Sequence, residues 1–187
     1  EAAGALLAES DLRGVPYVCL HAGSQLPSRR WPPERFAAVA DRLAALGYRI
    51  VMTGTAAERA LTAQVGAAMR HTAIDLAGRT SLGALGALIE SAALLLSNDT
   101  GVSHIAAALR TPSVVVCCGS DYRRWAPLDC ARHRVLHHAV DCRPCRYRVC
   151  PIGHPCATGV PVAQVADEAE RVLHEYSAAY GRHACAG

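Results

Sequence analysis

"ALLLSNDTGVSHIAAAL", residues 93–109, is the stretch whose reading decides the fold. It opens on an apolar run ending at Leu96, the look of a short strand buried on both faces of a parallel sheet. It closes on Val102, Ile105, Ala106 and Leu109 at helical spacing. Between the two stand Asn98, Asp99, Thr100 and Gly101, with Ser103 and His104 in the first turn that follows. One reading is a helix cap, with Asp99 or Thr100 satisfying orphan N–H groups. The other is an anion cradle. Backbone N–H groups of Thr100, Gly101 and Val102 point at a diphosphate, helped by the helix dipole. Gly101 lets the phosphate come close, and Ser103 or His104 donates to a phosphate or sugar oxygen. Capping accounts for one of these residues but not for four.

The strand-then-helix pattern repeats outward from that point. "YVCLHAG" (17–23), "RIVMTG" (49–54), "AIDLAG" (73–78), "ALLLSN" (93–98) and "SVVVCCG" (113–119) read as five strands. A helix after the first strand starts at Pro32 and Pro33, has Glu34 in its first turn and stops at Gly47, with Phe36, Val39, Ala40, Leu43 and Leu46 as its stripe. A second runs from about Ala56 to Met69, striped by Leu61, Val65, Ala68 and Met69. A third is capped by Thr80 or Ser81 and striped by Leu82, Leu85, Gly86 and Ile89. Residues 120–160 read as irregular and rich in Arg, Cys, His and Pro. A last helix spans 162–180, striped by Val165, Ala169, Val172, Leu173 and Tyr176.

Strict strand–helix alternation marks an α/β fold with a Rossmann-like, doubly wound parallel sheet. Ligands of such sheets sit beyond the carboxyl ends of the strands. The unusual polar residues fall there: Gly23 and Ser24, Gly54 and Thr55, Asn98 to Gly101, Gly119 and Ser120. Trp31, beside Pro32 and Pro33, reads as a packing anchor, while Arg29 and Arg30 bring charge to the same rim. No G-x-G-x-x-G follows the first strand, which disfavours a dinucleotide dehydrogenase.

The 187 residues suffice for one domain with a full core, and the 51% apolar content argues against disorder. No apolar run approaches the ~20 residues of a membrane-spanning helix. The chain begins "EAAGALLAES", without Met or signal peptide, and is expected to be a piece of something longer. A net charge of +3 argues against general nucleic-acid binding. All 19 basic residues are Arg, so a bound anion meets guanidinium forks.

The cysteines number nine, an odd count that fits a reducing compartment. Cys19, Cys117 and Cys118 lie in apolar runs and read as small buried hydrophobes. Cys142, Cys145, Cys150 and Cys156 cluster at Cys-x2-Cys-x4-Cys-x5-Cys spacing, with His154 among them and His137 and His138 nearby. They either hold a structural zinc or Fe–S cluster or brace a long loop as reduced thiols. Arg123 and Arg124, after the fifth strand, face a ligand or solvent. His71, His133, His174 and His183 read as polar-surface residues, and His21 as hydrogen-bonded within the core.

Four stretches taken together, "HAGSQLPSRRWP", "TGTAAE", "RTSLGAL" and "NDTGVSHIAAAL", resemble the C-terminal half of family 9 glycosyltransferases, the ADP-heptose:lipopolysaccharide heptosyltransferases. The order matches over residues 15–180, and related transferases often carry a similar Cys-rich stretch. The resemblance implies a GT-B enzyme built of two Rossmann-like halves. Residues 1–187 would form the single nucleotide-sugar-binding half, with the N-terminal half absent. By motif, Gly23, Ser24 and Arg29 would meet phosphates, Arg29 standing where the family often has Lys. Glu58 would accept from the ribose hydroxyls, Thr80 and Leu82 would border the adenine, and Asp99 would bind sugar hydroxyls. Thr100, Gly101 and His104 would cradle the diphosphate and sugar.

The implied reaction is inverting transfer of heptose from ADP-heptose to a lipopolysaccharide core acceptor. No cofactor would be needed for the chemistry. The catalytic base would sit on the absent half, leaving this chain alone inactive. Work would occur in the cytoplasm, at most peripheral to the inner face of the inner membrane. The alternatives are a GT-B transferase with another nucleotide-sugar donor, or a Cys-cluster metal-binding interaction module on a Rossmann-like scaffold.

Overall fold

The computed structural model describes residues 12 and 14–184, with side chains up to residue 176. In chain order it runs β1 (Tyr17–His21), α1 (Pro33–Ala45), β2 (Arg49–Met52), α2 (Arg59–Ala68), β3 (Ala73–Asp75) and α3 (Leu82–Glu90). It continues with β4 (Leu94–Asn98), α4 (Gly101–Leu109), β5 (Ser113–Val116), α5 (Tyr122–Trp125), β6 (His133–Leu136), α6 (Pro155–Thr158) and α7 (Val162–Ala184). Short 3-10 turns at Pro27–Arg29 and Ala56–Glu58 precede α1 and α2.

The strands form one six-stranded sheet in the order β3-β2-β1-β4-β5-β6, and every pair is parallel. Successive residues of a strand face opposite sides, so two cores result. Val18, Leu20, Leu94, Leu96, Val114 and Val116 face α1 and α7. Tyr17, Cys19, Val51 and Leu95 face α3 and α4. Burial on both sides explains why these strands are continuous apolar runs rather than alternating ones.

Helix boundaries follow the expected chemistry. Pro33 sits in the first turn of α1 with Glu34 beside it, and Gly47 just beyond takes φ +95°. Leu46 differs from the expected stripe: it lies where α1 ends and is exposed. In α3, Ser81 rather than Thr80 is the cap, its hydroxyl accepting from the Ala84 amide at 3.2 Å. That cap turns Leu82 outward, 74% exposed, while Ala84, Leu88 and Ile89 are buried.

Residues 120–160 are less irregular than expected. They contribute α5, α6 and the edge strand β6, which pairs with β5. His133 and Arg134 break the apolar look of this strand in the sequence. His133 is buried, not on the surface, and its Nδ1 lies 2.9 Å from the Ser113 hydroxyl. The side chain of His183 lies outside the described residues. No helix among the described residues is long and apolar enough to cross a membrane.

Candidate functional site

In the sheet order, β1 is flanked by β2 and β4, so the connections run opposite ways from that point. The crevice of such a sheet lies at the carboxyl ends of these strands. Asn98, the last residue of β4, is fully buried there. Its Oδ1 accepts from the Trp31 amide at 2.8 Å, and its Nδ2 donates to the Ala22 carbonyl at 2.7 Å. Asn98 is therefore a staple, not a ligand: it holds the loop after β1 against the end of β4. Trp31, also fully buried, packs edge-on against Phe36 and anchors the same loop. The sequence carried one clue to the staple, a strong polar residue closing an apolar strand.

Beyond the staple the polar groups change character. Thr100 stands at the N-cap position of α4, yet its side chain makes no capping hydrogen bond. The Ser103 hydroxyl is turned back onto the Thr100 carbonyl at 2.7 Å, which removes it as a donor to a ligand. Gly101 faces open space; a Cβ there would meet nothing within 4 Å. Thr100 thus leaves the first amides of α4 without a side-chain cap. His104 is exposed one turn on, its ring 6.3 Å from that of Trp125.

Asp99 lies beside this helix start and accepts from the Cys117 thiol at 3.7 Å. Burial pushes the Cys117 thiol up to about 12, with Asp99 adding to the rise, so it stays protonated. Arg29, on the loop held by Asn98, has a buried Nε without a hydrogen-bond partner. Its Cγ would be 3.5 Å from a Cβ on Gly119, which places the guanidinium stem against the end of the β5 segment. Arg30 is otherwise employed, its Nε and Nη2 donating to the Ser24 carbonyl at 2.8 and 2.6 Å.

Glu58 sits on the far side of β1. Its Oε2 accepts from the Thr55 amide and hydroxyl at 2.8 and 2.9 Å, a capping box before α2. The carboxylate packs against Gly23, where a Cβ would collide with it. That contact is a steric reason for glycine after β1. Burial works to raise the Glu58 pKa, but the two Thr55 bonds, with the charges of His21 and Arg30, outweigh it and hold the carboxyl low. His21 hydrogen-bonds to the Thr53 hydroxyl at 3.1 Å; burial depresses its pKa, and the Glu58 charge opposes that shift. Half-buried Thr80 and exposed Leu82 flank Ser81, the cap of α3.

The Cys-rich segment is a brace. The Ser28 amide donates to the Arg148 carbonyl and the Ser28 hydroxyl to the Tyr147 carbonyl. The Cys145 amide donates to the Gly119 carbonyl, and His154 Nε2 lies 2.8 Å from the Ser28 carbonyl. Cys156 is buried in the core that faces α7, whereas Cys142 is exposed. Burial pushes the Cys156 thiol up; Arg143 opposes this, and nearby Cys142, Cys150 and Cys145 add to it. The four thiols are thus neighbours. Even so, no three or more His, Cys, Asp or Glu among the described residues are placed to hold a metal ion. Of the two readings of Cys142, Cys145, Cys150 and Cys156, zinc or Fe–S site or bracing loop, the hydrogen bonds fit the brace. Cys150 Sγ, for one, accepts from the His154 amide at 3.2 Å.

Fold and site together define a class: a Rossmann-like α/β domain whose uncommitted polar groups gather at the carboxyl ends of β1 and β4. Residues 4–155 match the family described as "Glycosyltransferase family 9 (heptosyltransferase)", and the chain belongs to that family. It is 32% identical over 124 residues to lipopolysaccharide heptosyltransferase 3 of Escherichia coli K12, covering 64% of this chain and 36% of that relative. The crystal structure of a family 9 glycosyl transferase from Veillonella parvula superposes with TM-score 0.82 at 27% identity, covering 92% of this chain and 50% of that one. The E. coli ADP-heptose lipopolysaccharide heptosyltransferase II structure gives TM-score 0.81 at 24% identity, covering 94% and 52%, a likeness of fold. The chain spans about a third of that curated relative and about half of each solved structure.

Proposed function

We propose that this chain is the donor-binding half of an inverting heptosyltransferase, holding ADP-heptose while an acceptor hydroxyl of a lipopolysaccharide core displaces ADP. One observation carries the reading. At the switch point, the amides at the start of α4 are uncapped by Thr100, Gly101 faces open space, and Arg29 keeps a buried, unpartnered Nε. Uncompensated donors of this kind suit a pyrophosphate.

As the sugar–oxygen bond breaks, negative charge grows on the leaving diphosphate. Donors already aimed at it lower the barrier. Gly23 and Ser24 close the other wall, and Asp99 accepts from sugar hydroxyls. Glu58 takes the ribose hydroxyls through the face not used by Thr55. Thr80 and Leu82 offer an edge for the adenine, and His104 reaches the diphosphate or sugar.

The base that deprotonates the acceptor would come from an N-terminal GT-B half, so this chain alone binds nucleotide without turning over. The acceptor places the work at the cytoplasmic face of the inner membrane, by peripheral contact. The family match supports heptose transfer over a metal-binding interaction module. Calorimetry with ADP tests the reading. Saturable binding is expected, weakened about tenfold by Arg29→Gln, or ~1.4 kcal/mol. Absence of ADP binding, or equal binding by the variant, would overturn it.

A further inference from the structure

A cavity of about 210 Å³ lies one strand outward from the proposed donor cradle, beyond β5 and β6. Its walls include Asp121, Tyr122 and Arg123 at α5, His137 after β6, and Arg143. The Tyr122 and His137 rings stack at 3.7 Å, 20° from parallel. The guanidinium carbons of Arg123 and Arg143 each lie 5.7 Å from the Tyr122 ring centre.

Arg143 is held in place by neutral acceptors. It donates to the carbonyls of Ser120 at 2.5 Å, Cys117 at 3.2 Å and His138 at 3.0 Å, and lies 3.3 Å from Cys117 Sγ. These contacts fix its position without a direct ion pair, and its Nε is buried without a partner. The side chain of Arg123 meets the Tyr122 ring. The one acid in the wall, Asp121, accepts from the Arg123 amide at 3.2 Å as the cap of α5. Two guanidinium groups therefore face one carboxylate.

We infer that this cavity is a second anion subsite, taking a phosphate or carboxylate group carried on a sugar. The aromatic pair lines the cavity, Arg143 supplies a fixed positive charge and Arg123 an adjustable donor. The electrostatics of His137 agree: burial lowers its pKa, and Arg143, Arg123 and His138 lower it further. An anion in the cavity reverses that effect. Cys117 links the two sites, its thiol on Asp99 and its sulfur and carbonyl on Arg143, so the cavity neighbours the proposed cradle. Assigning the anion to the acceptor rests on the transferase reading; the anion site itself does not.

The test follows His137 by NMR in this chain during pH titrations at constant ionic strength. Glucose 6-phosphate, glucuronate and glucose are the probes. A saturable rise of the His137 pKa with either charged sugar, but not with glucose, is expected. Arg123→Gln should weaken that binding about fivefold to tenfold with little change in Tm, because its contact with the Tyr122 ring is made by an exposed side chain. Gly101→Asp, which blocks the proposed donor cradle, should leave the His137 response intact. A silent His137, an equal response to glucose, or an unchanged response in Arg123→Gln would overturn the subsite. ADP binding, measured separately, reports on the cradle alone.

Discussion

The loop–helix junction at Asn98–Gly101 and the Cys-rich segment at Cys142–Cys156 look alike in sequence, each a dense run of polar or reactive residues. The structure treats them oppositely. In the first, Asn98 consumes its hydrogen bonds inside the fold and leaves Thr100, Gly101 and Arg29 Nε uncommitted. In the second, Ser28, Cys145, Cys150 and His154 spend their polar groups on one another and on the core. Unused donors, rather than polar density, mark the candidate site.

The largest way to break this contrast is Asn98→Leu. It strands the buried Trp31 amide and Ala22 carbonyl, and chemical denaturation should show a loss of about 3 kcal/mol. A loss below ~1 kcal/mol would mean the staple is dispensable. Gly101→Asp separates function from stability. The added side chain meets open space at a helix start, so stability should hold or rise by about 0.5 kcal/mol. ADP affinity should fall at least tenfold by charge repulsion, and undiminished binding would place the nucleotide elsewhere.

Within the brace, Cys156→Ser should cost about 1–2 kcal/mol by burying a hydroxyl in an apolar core. Cys142→Ser, at an exposed site, should stay within ~0.5 kcal/mol. Equal and large losses for both would point instead to a shared ligand set.

The smallest effect concerns Glu58. Because its pKa is depressed in the fold, the unfolded chain binds the proton first as pH falls. The stabilisation is complete above the unfolded value of about 4.3 and is lost as pH drops through the lower, folded value. Glu58→Ala should cost about 1 kcal/mol at pH 7, through the lost capping box, and progressively less below about pH 4. A pH-independent difference would show that packing against Gly23, rather than charge, is what Glu58 supplies.

Sequence periodicity placed β1 to β5 and the helices between them because strands buried on both faces leave unbroken apolar runs, and amphipathic helices leave stripes. It missed β6, where His133 and Arg134 interrupt the apolar run and stability comes from pairing with β5. It expected Leu46 and Leu82 inside, whereas Leu46 lies just past the end of α1 and Leu82 at the exposed start of α3.

The order of motifs along the chain was enough to establish the doubly wound class and the family, since both are properties of local pattern and spacing. Which polar atoms remain free was settled only by tertiary contacts. Asn98 is spent on Trp31 and Ala22, far away in the chain, and Ser103 on nearby Thr100, while the Thr100 side chain makes no capping bond and Arg29 Nε has no partner. That is fixed only once the strands stand side by side.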